Sequence, residues 1–129
     1  MRHLAQVEIS DSSPIILELN DINSPKTVSL FLEKLPFSVK LNVWGEEIYT
    51  SPSPIDVQEE NAKSQVSLND VAYWPSGKAI CLFFGPTPMS QKGEITPASP
   101  VNVIGKIIDP DKSVLGNAES KNATFRLKS

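Results

Sequence analysis

The stretch YWPSGKAICLFFGPTP, Tyr73 to Pro88, holds four of the chain's nine aromatic residues within twelve positions. Pro75-Ser76-Gly77 reads as a tight connection, because proline presets φ and glycine tolerates the conformations a turn demands. Ala79 to Phe84 is then apolar at every position. A run this short, with no polar alternation, predicts a central strand covered on both faces. Gly85-Pro86-Thr87-Pro88 stiffens the exit, since each proline fixes φ and donates no hydrogen bond. Two readings are open for the aromatics: packing of a small interior, or a preformed apolar site.

On either side of this segment the period is two. Ala5, Val7 and Ile9 alternate with Gln6 and Glu8, and Ile15, Leu17 and Leu19 alternate around Glu18, with a turn cluster between them. That pattern predicts a hairpin with one buried face. Phe37, Val39, Leu41 and Val43 alternate with Ser38, Lys40 and Asn42, and Gly45 marks a turn before a further short strand. Val66 to Trp74, Val101 to Ile108 and Ala123 to Leu127 supply the remaining strand regions. One segment departs from this period. Ser24-Pro25 precedes Val28, Phe31, Leu32 and Leu35, spaced i, i+3, i+4 and i+7. This predicts a helix with Ser24 as N-cap and Pro25 at its first position, stopped by Pro36. Ser51 to Ser64 is polar and reads as a surface loop, and the "DPDK" of 109–112 reads as a turn. About eight short strands with turn signals predict an all-β barrel or sandwich. At 129 residues, with no repeat and no shift in composition, the chain is expected to form a single domain over residues 1–129.

The chemical inventory is exclusionary. Twelve Lys and Arg stand against fifteen Asp and Glu, for a net charge of −3, and no basic run exists to hold phosphates. Neither nucleic acid nor a membrane is expected as a partner. There is one histidine, His3, and one cysteine, Cys81. They are too few for a soft-ligand metal cluster or a nucleophilic triad, so no metal, cofactor or catalytic residue is assigned. The lone cysteine inside an apolar run suits a reduced compartment, and a cytoplasmic location is expected. The Asn122-Ala123-Thr124 sequon then reads as a chance match. Adjacent Glu46 and Glu47 should point to opposite faces and cannot share a substrate.

The order of elements, together with Phe83-Phe84 and Val103-Ile104-Gly105-Lys106-Ile107, resembles the cyclophilin fold, a closed eight-stranded barrel. The segments WGEEIY, DVAYWPSGKAICLFFGPTP and ASPVNVIGKI are similar to those of small prokaryotic cyclophilin-like proteins, a family without an established activity. Cyclophilins carry an arginine on the strand after the first helix and a histidine in the proline pocket. Counted without gaps, the resemblance puts Leu41 at the arginine position and Val101 at the histidine position. Lys40 would lie on the other face, and of the proline pocket Phe84 remains. The resemblance therefore implies a non-catalytic module that binds a small molecule, an extended peptide or another copy of itself. A prolyl isomerase with a degenerate site is the alternative. The expected binding surface is bordered by Phe84, Tyr49, Tyr73 and Trp44, with Pro86, Thr87 and Met89 on the proline-held exit.

Overall fold

The computed structural model describes residues 2–128. Eight antiparallel strands close into a barrel: β1 (Arg2–Ile9), β2 (Ile15–Asn20), β3 (Phe37–Trp44), β4 (Glu47–Thr50), β5 (Asp70–Trp74), β6 (Ala79–Phe83), β7 (Asn102–Ile108) and β8 (Asn122–Leu127). Their order around the barrel is β1-β2-β7-β5-β6-β4-β3-β8, and β8 returns to pair with β1. Two helices accompany them, α1 (Pro25–Lys34) and α2 (Lys112–Gly116). No helix among the described residues is long and apolar enough to cross a membrane.

The period-two residues fill the interior. Val7, Leu17, Leu19, Leu41, Ile48, Ile80, Leu82, Ile104 and Phe125 are essentially inaccessible and belong to one core. Eight strands leave an interior just wide enough for their own side chains. Helix α1 lays Phe31 onto this core, edge-on to Phe37 and Phe125 at 5.9 and 6.1 Å, while Phe37 and Phe125 stack at 5.2 Å. At the β2–β7 contact the backbones approach so closely that a Cβ on Gly105 would lie 2.1 Å from the Glu18 carbonyl oxygen. Only glycine fits there.

Local expectations needed three corrections. Ser24 does stand at the N-cap of α1, with Pro25 in the first turn, but its side chain makes no capping bond. Its Oγ donates instead to the Glu60 carbonyl, and the Glu60 carboxylate accepts from the Lys26 and Thr27 amides and from the Thr27 hydroxyl. A distant carboxylate can thus replace the local cap, since the first helical N–H groups need only an acceptor. The 51–64 segment is not a plain surface loop: Ile55 is wholly buried in the core. The 109–112 turn leads into α2, because the Asp111 carboxylate caps the Ser113 and Val114 amides. On the strand surfaces Arg2 pairs with Glu18 and Arg126 with Glu8.

Asn102 ties these pieces together. It is fully buried at the start of β7, donates from Nδ2 to Thr27 Oγ1 and the Gln58 carbonyl, and accepts the Glu60 amide at Oδ1. A buried amide with its bonds made in low dielectric fixes the helix, the loop and the barrel in one arrangement. Asn102→Ala strands three partners in two segments, Thr27 of α1 and Gln58 and Glu60 of the loop, and should lower the unfolding free energy by about 2–4 kcal/mol. Urea unfolding checks this, and a loss well under 1 kcal/mol would refute the assignment.

Candidate functional site

Strand β6 is buried at all five positions, so its outward side chains need a cover that the barrel cannot provide. The connection from Gly85 to Pro100 supplies it. Ala72, Cys81, Phe83 and Val101 form a second apolar cluster, on the outer wall, packed against Tyr49, Val66, Trp74, Ile95 and Val103. The connection is pinned by its own hydroxyls: Thr87 Oγ1 donates to the Thr96 carbonyl, and Ser90 Oγ accepts the Thr87 and Thr96 amides. Its entry is held where the Glu46 amide donates to the Pro86 carbonyl.

Between this cover and the wall lies a cleft of about 190 Å³, lined by Trp44, Glu47, Tyr49, Trp74, Pro97, Ala98 and Val101. Parity places its residues. On β4, Glu47 and Tyr49 point outward, while Ile48 and Thr50 point inward and are buried. Tyr49 meets Trp74 edge-on, with centroids 6.3 Å apart. The Trp74 Nε1 donates to Ser99 Oγ, which locks the ring to the cover. Gly77 makes room for that ring, since a Cβ there would lie 2.6 Å from the indole.

Glu47 is the unusual member. It is 4 % exposed, and its Oε1 has no hydrogen-bond partner. Burial raises its pKa to about 7, and contact with the Cys81 thiol pulls the other way. The Cys81 thiol is pushed well above its ordinary value, first by burial and then by Glu47. Such a thiol stays protonated and is a poor nucleophile. Adjacent Glu46 lies outside the cleft, 3.6 Å from Lys112 Nζ. No three His, Cys, Asp or Glu side chains converge to hold a metal ion among the described residues.

The residues expected at the binding surface divide. Trp44 and Tyr49 line the cleft. Phe84 does not: it is 2 % exposed and belongs to the barrel core. Tyr73 also faces inward, wholly buried, with its hydroxyl donating to the Ile55 carbonyl at 2.8 Å. Thr87 serves the connection's own hydrogen bonds, and Pro86 and Met89 are exposed beyond the cleft. The aromatic-lined cleft thus lies on the outer wall, and Phe84 does not border it. Leu41 is buried inside the barrel, so no side chain at that position could reach the cleft. The cleft lies on the wall toward which Lys40, Asn42 and Trp44 point, although Lys40 does not line it. Trp74 and Glu47 stand outside that expected set, although both line the cleft. Trp74 alternates with Tyr73 on β5, so the inward placement of one would have signalled the outward placement of the other.

Because the Glu47 pKa is raised on folding, the folded state binds the extra proton between about pH 4.5 and 7. Its contribution is therefore harmless below about pH 4.5, becomes increasingly destabilising as pH rises from there to about 7, and levels off above that. Glu47→Gln should come close to the wild type near pH 4 and gain on it by up to about 3 kcal/mol by pH 8. Urea unfolding at the two pH values measures this, and a pH-independent difference would contradict it.

A family model described as cyclophilin-like matches residues 4–126. The solution structure of a hypothetical protein from Archaeoglobus fulgidus is similar at a TM-score of 0.83 and 39% identity, covering 98% of this chain and 95% of that one. No curated protein matches the chain. The match of the family model along nearly the whole barrel, joined to the closed eight-stranded topology, establishes that the chain belongs to the cyclophilin-like family.

Proposed function

We propose that this protein is a non-catalytic binding module whose ligand enters the outer-wall cleft. The observation that carries the reading is the cleft's composition: three large aromatic side chains and a single polar one, Glu47, held between a rigid wall and a pinned cover. Clefts that are mostly apolar with one or two placed polar groups are the usual form of small-ligand sites. Tyr and Trp contribute large contact areas at little entropic cost. The stiff connection also lowers the ordering needed on binding.

The isomerase alternative is disfavoured by what the cleft lacks. Stabilising a twisted prolyl bond calls for a donor aimed at the reacting amide. No Lys, Arg or His lines the cleft, and the position that the resemblance assigns to the arginine lies inside the barrel. Val101, at the histidine position, lines the cleft as an apolar residue.

A library of small fragments screened by thermal shift tests the binding reading. Hits should raise the Tm of the wild type, and Trp74→Ala should abolish that protection while Met89→Ala, at an exposed position, leaves it intact. A hit list equally protective for Trp74→Ala would remove the cleft as the site. The same wild-type preparation should not accelerate isomerisation of a proline-containing peptide. A rate above background that disappears in Trp74→Ala would restore the enzyme reading.

A further inference from the structure

The Glu47 carboxyl presents a problem that the folded chain leaves unsolved. Among the described residues its Oε1 is the one buried side-chain oxygen or nitrogen without a hydrogen-bond partner. Such a group is costly to bury and calls for a partner. The groups facing it are few. Trp44 on β3 and Phe83 on β6 are its cross-strand neighbours, Cys81 on β6 is the titratable contact, and Pro97 and Ala98 of the cover line the same cleft. Its own strand adds Tyr49, and no cationic side chain lines the cleft. The Trp74 indole N–H is already taken by Ser99, so Trp74 offers the cleft a ring rather than a donor.

We propose that the cleft binds a small protonated alkylamine, whose ammonium donates to Glu47 Oε1 and rests against the rings of Trp44, Tyr49 and Trp74. This deepens the binding reading above and rests on it. A purely apolar ligand would seal Oε1 away from any donor, and an anion would face the carboxylate. An ammonium satisfies the oxygen by a charge-assisted hydrogen bond and gains from the negative faces of the rings. The size agrees: an apolar cavity of roughly 150 Å³ accepts benzene, so about 190 Å³ suits an amine with a short alkyl chain. On binding, the neutral Glu47 carboxyl gives up its proton to water and pairs as a carboxylate with the incoming ammonium. Its raised pKa means that this release is measurable below neutrality.

The probes are n-butylammonium chloride and n-pentanol, a neutral molecule of similar shape. Binding is followed by the indole N–H resonances of Trp44 and Trp74, the two tryptophans of the chain. Proton release is measured by calorimetry at pH 6 in phosphate and in MES. The wild type should bind n-butylammonium at least about tenfold more tightly than n-pentanol. It should release close to one proton for the amine and none for the alcohol. Glu47→Gln should lose that preference and the release, while still binding n-pentanol. Equal affinity for the two probes overturns the ammonium assignment and leaves the cleft as a site for neutral ligands. Neither probe shifting the indole signals at tens of millimolar overturns both readings. Should Glu47→Gln not fold, the wild-type preference and proton release decide alone, and the absence of either refutes the proposal.

Discussion

A closed barrel of eight short strands has no room for anything but its own side chains, and most of the molecule follows from that constraint. The inward residues of all eight strands merge into one core, sealed at one place by Phe31 of α1. Strand β6 then poses a difficulty, because its outward residues are as apolar as its inward ones. Leaving Cys81 and Phe83 in water would forfeit their burial. The Gly85–Pro100 connection resolves this by folding over the outer wall, and the cleft is the part of the wall it does not fully cover. The aromatic-lined recess is thus a by-product of how a two-faced strand is kept dry.

Two glutamates show how environment assigns roles to one residue type. Burial acts to raise the pKa of Glu60, but hydrogen bonds from the Lys26 and Thr27 amides and the Thr27 hydroxyl outweigh it, and the net shift is downward. Glu60 is accordingly a structural anion, holding the start of α1 beside the Asn102 network. Glu47 has deeper burial with the Cys81 thiol as its one opposing hydrogen bond and Oε1 left without a partner, and its pKa moves up. The difference is one of satisfied against unsatisfied acceptors, and it separates a residue that serves the fold from one whose Oε1 is buried without a partner.

The fold was largely legible because its strands alternate. Leu17 and Leu19 against Glu18, or Val39 and Leu41 against Lys40, each name a buried face without any tertiary information. The site was less so. A run apolar on both faces has no alternation to read, so nothing local says whether Phe83 or Phe84 points inward; Phe84 does, and Phe83 joins the outer cluster. Tyr73 looked like an interfacial tyrosine, yet its hydroxyl is satisfied eighteen residues away by Ile55, inside a segment that reads as polar. Trp44 and Tyr49 carry bulk and a polar handle wherever they sit, and the structure puts both in the cleft.

The sequence by itself determined an all-β chain of short alternating strands, the helix over Pro25–Lys34 and the burial of the Ala79–Phe83 strand, because hydrophobic period and proline position act within a few residues; closure into a barrel was implied only by the family resemblance. It also determined that any site would be poor in histidine and cysteine. Only the tertiary structure decided that the cleft lies on the outer wall and that Glu47, rather than Glu46, is stripped of water within it. Glu47 meets Cys81 across a strand pair, and it shares the cleft lining with Pro97 and Ala98 of a connection roughly fifty residues away along the chain. Desolvation sums over whatever the fold brings near, and no local pattern in the chain encodes that sum.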